Sequence, residues 1–138
     1  MNIGIVGATG QVGTVMREIL TQRNFPIDSI RFFASSRSAG KEIEFQGQSI
    51  LVEDAATAKW EDLDIVLFSA GGQLSKELAP KVASSGAVVI DNSSAWRMDE
   101  GVKLIIPEIN GHLLESKDRI IANPNCSTIQ MLMVLAPL

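Results

Sequence analysis

Seven residues near the N-terminus limit the possible folds more than any others. Gly7-Ala8-Thr9-Gly10-Gln11-Val12-Gly13 follows the apolar run Ile3–Val6 and precedes a stretch of helical periodicity. A G-x-x-G-x-x-G spacing between a strand and a helix is a variant of the dinucleotide-binding fingerprint. On that reading Gly7 permits the tight turn, Gly10 lets the backbone approach a pyrophosphate, and Gly13 lets the helix pack close to the strand. The N–H groups of Thr9, Gly10, Gln11 and Val12 would face the phosphates, where the helix dipole favours negative charge. The alternative is a glycine-rich turn that holds no ligand.

The rest of the chain alternates strand and helix character. Val12, Val15, Met16, Ile19 and Leu20 recur at helical spacing and predict a helix buried on that face, ended by Asn24 and Pro26. Ile30–Ala34, Asp64–Phe68, Ala87–Ile90, Leu104–Ile106 and Ile120–Ala122 are apolar strand candidates. Ile43 and Phe45, then Ile50 and Val52, flank Gln46-Gly47-Gln48 and read as a small antiparallel excursion. Leu74, Leu78, Ala79, Val82 and Ala83 mark a second helix, in which Pro80 predicts a kink or a late start. Ser127–Leu135 reads as a last helix. Strands apolar on both faces, with helices between them, predict an α/β fold: a doubly wound, mostly parallel, Rossmann-type sheet with helices on both faces. The 138 residues fit one domain, and with aromatics at 5% the core is expected to be aliphatic.

The end of the second strand selects the cofactor. NAD sites place an acidic residue there, about 20 residues past the glycines, for the ribose 2′-hydroxyl. Here Ala34-Ser35-Ser36-Arg37-Ser38-Ala39-Gly40 offers hydroxyls and a guanidinium without a carboxylate. Ser35, Arg37 and Ser38 suit a 2′-phosphate, which points to NADP. The plainer alternative is an exposed arginine in a loop. Ser69-Ala70-Gly71-Gly72 follows another strand, so Gly71 either lets a cofactor lie against the backbone or belongs to a simple helix-entry turn.

Cys126, the only cysteine, sits in Asn123-Pro124-Asn125-Cys126-Ser127-Thr128 between a strand and a helix. A thiol at a helix N-terminus is shifted toward its reactive thiolate. A lone cysteine is otherwise a small buried hydrophobe, against which the polar turn argues. In Asp91-Asn92-Ser93-Ser94-Ala95-Trp96-Arg97-Met98-Asp99, Arg97 could grip an oxyanion bidentately or pair with Asp99. His112, the single histidine, reads as structural or exposed, leaving no candidate general base. No metal ligand set is read. The net charge of −4 and the lack of a Lys/Arg cluster exclude the basic footprint of a nucleic-acid binder. No apolar run approaches the roughly 20 residues of a membrane span. The chain enters an apolar strand directly, which reads as no secretory leader, and one cysteine suits a reducing cytoplasm. The apolar stretch Met131–Leu138 leads to the expectation that more chain follows.

Together these segments resemble the aspartate-semialdehyde dehydrogenase family. Gly7–Gly13, Ser35–Gly40, Ser69–Gly72, Asp91–Asp99 (DNSSAWRMD), Pro107–Asn110 (PEIN) and Asn123–Gln130 (NPNCSTIQ) carry the resemblance in family order across nearly the whole chain. The resemblance implies NADPH-dependent reduction of L-4-aspartyl phosphate to L-aspartate 4-semialdehyde and phosphate, a step toward lysine, methionine and threonine. It implies Cys126 as the acyl-thioester nucleophile, Arg97 with Asn125 on the phosphate group, and Thr9 to Val12 with Arg37 and Ser38 on NADP. Members of the family are much longer. Their second domain supplies a catalytic histidine, substrate-binding Arg and Glu residues and most of a homodimer or homotetramer interface, so residues 1–138 correspond to the NADP-binding domain with the nucleophile, and little turnover is expected from them alone. Two alternatives stand beside this: a free-standing NADP-binding or redox-sensing module, and N-acetyl-glutamyl-phosphate reductase. The second usually carries Gly and Tyr around its cysteine, where this chain has Asn125 and Ser127.

Overall fold

Asn2–Val6 (β1) is an apolar strand whose Ile3, Ile5 and Val6 are all but inaccessible, and burial on both faces belongs to the middle of a sheet. The computed structural model describes residues 1–138. Around β1 stand β2 (Ser29–Ala34), β3 (Glu42–Phe45), β4 (Gln48–Asp54), β5 (Ile65–Phe68), β6 (Val88–Asp91), β7 (Lys103–Leu104) and β8 (Ile120–Ala122). They form one eight-stranded sheet in the order β3-β4-β2-β1-β5-β6-β8-β7, and every pair is parallel except β3 with β4. The chain builds outward from β1 through β2 and β4, then returns to place β5 on the other side of β1. That reversal makes the C-terminal ends of β1 and β5 the mouth of a ligand crevice.

Two longer helices cover opposite faces. α1 (Gln11–Gln22) lays Met16 and Leu20 on Ile5, Phe32 and Val52. α2 (Gly72–Ser84) packs Leu78, Ala79 and Val82 against Val6, Phe33, Val66, Phe68 and Val89. A short α3 (Pro107–Asn110) precedes β8, and α4 (Cys126–Leu135) follows it. The doubly wound α/β reading therefore holds. The core is less aliphatic than composition implies. Phe32, Phe33 and Phe68 are fully buried, and Phe33 packs against Trp60 with ring centroids 4.5 Å apart.

The face that α1 buries differs from the expected one. Val12, Val15 and Ile19 are 44%, 49% and 40% exposed. The inward stripe is Gly13, Met16, Arg17 and Leu20, with Gly13 buried and the Arg17 guanidinium 5.7 Å from the Phe32 ring centre. The spacing is still i, i+3, i+4, i+7, but its first member is a glycine and its third an arginine whose stem lies along the sheet. Pro80 does not delay α2, which begins at Gly72 and runs unbroken. Pro80 and Lys76 are both exposed, so water can take the carbonyl freed by the missing N–H. β7 is only two residues, shorter than the Leu104–Ile106 run, although the Ile105 N–H still donates to the Ala122 carbonyl at 3.0 Å. The hairpin at Gln46-Gly47 is as expected, with φ of 48° and 79° at the two turn residues. Cover on the α1 side thins toward β8, where Leu67, Ile90 and Ile121 are only half-buried.

One ion-pair group fixes the sheet edge beyond β6. Lys103 on β7 meets Asp118 at 2.9 Å and Glu115 at 3.6 Å, and its ammonium also donates to the Leu113 carbonyl at 2.7 Å. Hydrogen bonds from Lys103 and from the Glu115 N–H hold the Asp118 carboxyl below its ordinary 3.8, and Asp118 raises Lys103 above its ordinary 10.5. A carboxyl depressed on folding stabilises above its unfolded value and ceases to do so as pH falls through the folded one. A raised lysine stabilises below its unfolded value and ceases to do so as pH rises through the folded one. The stability difference between the parent and Lys103→Met is therefore expected to be flat across neutral pH, to shrink below pH 3.8 and to shrink above 10.5. Denaturant titrations across that range check it, and a difference independent of pH at the acid end would discount the pair.

Candidate functional site

The first turn is built by three glycines in different ways. Gly7 has φ +87°, and a Cβ there would lie 2.3 Å from the Ser69 carbonyl oxygen at the end of β5. A Cβ on Gly13 would lie 2.3 Å from the Gly7 carbonyl oxygen, so α1 touches the turn backbone directly. The Gly7 and Ala8 N–H groups both donate to the Phe33 carbonyl, at 2.8 and 3.2 Å, and the Ser69 N–H donates to the Val6 carbonyl at 2.9 Å. These bonds lock the turn between β2 and β5. Gly10 caps α1 with no side-chain bond, and the first backbone bond onto it comes from Thr14 at 3.0 Å. The N–H groups of Gln11, Val12 and Gly13 are thus left without backbone acceptors, and the first turn carries no acidic side chain. Free, convergent donors on a positive helix end fit the phosphates of a dinucleotide.

Beyond β2 the chain turns sharply, the Ser38 and Ala39 N–H groups donating to the Ser35 carbonyl at 2.8 and 3.0 Å. Arg37 stands exposed at the tip of this loop. Gly71, φ +85°, is the N-cap of α2, and a cavity of about 390 Å³ lined by Ala70, Gly71, Gly72, Gln73, Leu74 and Glu77 opens beside it.

The ends of β6 and β8 meet in a dense polar knot. The Arg97 Nε donates to the Asn123 carbonyl at 3.0 Å, and its Nη2 to the Asn92 carbonyl at 3.1 Å. The Asn123 amide donates to the Asn92 Oδ1 at 2.8 Å, and the Asn123 N–H to the Asp91 carbonyl at 2.8 Å. Arg97 spends one edge of its guanidinium on the two strand ends, leaving the Nη1–Nη2 edge for a bidentate acceptor. Asp99 does not pair with it; its carboxylate lies 3.6 Å from Lys76, whose ammonium sits 3.7 Å from the centre of the Trp96 ring.

Cys126 is exposed at the first position of α4, one residue past its N-cap. Asn125 is that cap: its Oδ1 accepts the Ser127 N–H at 2.9 Å, which leaves its side-chain amide N–H groups for a ligand. Because β1, β5, β6 and β8 are parallel neighbours, the glycine turn, Ser69–Gly72, the Arg97 turn and Cys126 all emerge from the same edge of the sheet. Three strand steps separate β1 from β8, about 14 Å at ordinary strand spacing. This edge of the sheet presents donors suited to an anionic cofactor at one end and, at the other, an exposed thiol and a guanidinium edge that the strand-end carbonyls leave unused. His112 is exposed in the turn after α3. Sequence reasoning passed over Asn92, Ser93 and Asn123 as individuals. Their signal is position, since Asn92 and Asn123 directly follow β6 and β8 and Ser93 comes one residue after Asn92.

Residues 2–117 match the family described as semialdehyde dehydrogenase, NAD-binding domain. A curated aspartate-semialdehyde dehydrogenase of Streptomyces akiyoshiensis is 61% identical over 139 residues, covering 100% of this chain and 40% of its own length. That of Bacillus subtilis is 48% identical, again covering 100% of this chain and 40% of its own. The crystal structure of aspartate semialdehyde dehydrogenase II complexed with ASA from Vibrio cholerae superposes with a TM-score of 0.94 at 47% identity, over 99% of this chain and 45% of that one. The chain spans about 40% of the length of the curated relatives it matches.

Proposed function

This chain belongs to the semialdehyde dehydrogenase family through its NAD-binding domain, and on that premise we propose that the intact protein interconverts L-4-aspartyl phosphate with L-aspartate 4-semialdehyde and phosphate, using NADP(H). The observation that carries the reading is an exposed thiol at the start of α4, on the same sheet edge as an arginine already fixed by two strand-end carbonyls.

The thiolate of Cys126 attacks the carbonyl carbon of the acyl phosphate. The C–O bond to phosphate breaks, and the departing dianion is held by the free guanidinium edge of Arg97 and the side-chain amide of Asn125. This leaves a thioester on Cys126. When bound, NADPH supplies the hydride that reduces it. The resulting hemithioacetal collapses, releasing aldehyde and restoring the thiolate. Hydride addition leaves that hemithioacetal as an oxyanion; a histidine of the second domain proposed for the intact protein lends it a proton and takes the proton back as the C–S bond breaks. Residues 1–138 act as the NADP-binding domain with the nucleophile: Gly7, Thr9, Gly10, Gln11, Val12 and Gly13 receive the pyrophosphate, Gly71 borders it from α2, and Ser35, Arg37 and Ser38 receive the 2′-phosphate. The same reading places the protein in the cytoplasm, as a homodimer or homotetramer serving lysine, methionine and threonine biosynthesis. No helix of the chain is long and apolar enough to cross a membrane. The relatives' shared name favours the aspartyl substrate over its N-acetylglutamyl counterpart.

Aspartate semialdehyde, NADP and inorganic phosphate together are expected to yield NADPH with the intact protein, and N-acetylglutamate semialdehyde is not. Arg37→Ala is expected to raise KM for NADP about tenfold or more while leaving that for NAD unchanged, the loss of one charge-assisted bond. Turnover without phosphate, or an unaltered preference between the two dinucleotides in the variant, would count against the reaction and the cofactor respectively.

A further inference from the structure

Asp91, at the end of β6, is completely buried. Its Oδ2 accepts the Ser93 hydroxyl at 2.6 Å, and its Oδ1, equally buried, has no hydrogen-bond partner. A buried carboxylate with an unused oxygen costs stability, and a native structure keeps one for a reason other than stability. The Ser93 hydroxyl passes the contact onward by accepting the Ala95 N–H at 3.1 Å. The next residue, Trp96, is nine-tenths buried and donates from its indole to Ser75 on α2 at 2.9 Å. The segment from the end of β6 to Arg97 is thus pinned twice, once by the Asp91–Ser93–Ala95 relay and once by Trp96. Between those pins and the carbonyls of Asn92 and Asn123, the Arg97 side chain has little freedom to turn.

We infer that Asp91 and Ser93 are positioning residues: they hold the free Nη1–Nη2 edge of Arg97 at a fixed place relative to Cys126, and so set the affinity for the phosphate group. The inference rests on the reaction proposed above. Neither residue touches the substrate; both act through Arg97. Removing the relay frees the turn without disturbing the glycine loop, the Asn125 cap or the thiol, which have their own anchors. Its effect therefore falls on one substrate only.

The test uses the intact protein in the direction that consumes aspartate semialdehyde, NADP and inorganic phosphate. Ser93→Ala is expected to raise KM for inorganic phosphate about tenfold, the value of one or two hydrogen bonds that preorganise a charged group. KM for NADP and the rate of Cys126 alkylation by iodoacetamide are expected to stay within about twofold of the parent. Ser93→Thr, which keeps the hydroxyl, restores the phosphate KM. Asp91→Asn keeps the shape and an acceptor for Ser93 but loses the charge, and falls between. An unchanged phosphate KM in Ser93→Ala overturns the inference. So does a parallel loss in all three readouts with a lowered melting temperature, which marks a role in folding alone. A parent protein with no phosphate-dependent turnover overturns the reaction itself, and is told apart from either result before any variant is made.

Discussion

Cys126→Ser is expected to lower the turnover of the intact protein by about a thousandfold or more while leaving its fold intact. The size follows from what the sulfur does in the proposed reaction. A serine hydroxyl at the same position is a far weaker nucleophile than a thiol near neutral pH, because a hydroxyl is scarcely ionised there. The selectivity follows from the surroundings. Cys126 is exposed and has no packing to lose, and serine is tolerated at the start of a helix, so stability should stay within about 0.5 kcal/mol of the parent. Cofactor affinity should also persist, because the donors proposed for its phosphates follow β1 and β2, three and four strand steps from β8. Steady-state rates, a melting curve and an NADP titration on one preparation separate these terms. Retention of more than a tenth of the parent rate would remove Cys126 from the mechanism.

Gly7→Ala is expected to bring the domain close to unfolding. Two costs coincide at this residue. Its φ of +87° lies in the left-handed region, where a Cβ costs about 1–2 kcal/mol. That Cβ would also sit 2.3 Å from the Ser69 carbonyl oxygen, a backbone atom tied into the sheet through the Ser69 N–H bond to Val6. Relief requires β1 and β5 to part at their C-terminal ends, at a cost of about 1–3 kcal/mol typical of overpacking. The sum, about 4 kcal/mol, takes up much of the 5–15 kcal/mol that a domain of this size possesses. Gly71→Ala is the control. Its φ is +85°, nearly the same, yet nothing lies within 4 Å of the added Cβ. Only the torsional cost, the same about 1–2 kcal/mol, remains there. Urea midpoints for the two variants should therefore differ clearly, with Gly7→Ala the lower and also defective in dinucleotide binding. Equal midpoints would mean that the close approach to Ser69 carries no energetic weight.

How far the fold could be read ahead depended on the range of the forces involved. The Gln46-Gly47 hairpin was legible because a two-residue turn with positive φ at both positions is a local event. The glycine spacing was legible for the same reason, and Gly13 lies against Gly7 as its place in the loop requires. α1 was legible as a helix, but its inward face was not. Periodicity counts apolar side chains, whereas the contact of Gly13 with the Gly7 carbonyl fixes the rotation of the helix. That rotation turns Arg17 inward over Phe32 and leaves Val12, Val15 and Ile19 largely outside. Pro80 leaves the start of α2 at Gly72 for a comparable reason, because its cost depends on whether the freed carbonyl meets water, and exposure is a tertiary property.

The same division runs through the crevice. Residue order by itself placed the groups that the proposed reaction uses: glycines after the first strand, hydroxyls and an arginine after the second, and a thiol where the last strand gives way to a helix. Torsional demands and helix-end dipoles act over a few residues, so spacing alone reveals them. Tertiary structure decided what each polar group is free to do. Arg97 is held by carbonyls 26 and 5 residues away, and Asn123 reaches Asn92 across 31 residues. Those pairings exist only because β6 and β8 lie side by side although β7 intervenes in sequence. Strand order is set by burying apolar faces over the whole chain, and no local pattern encodes it.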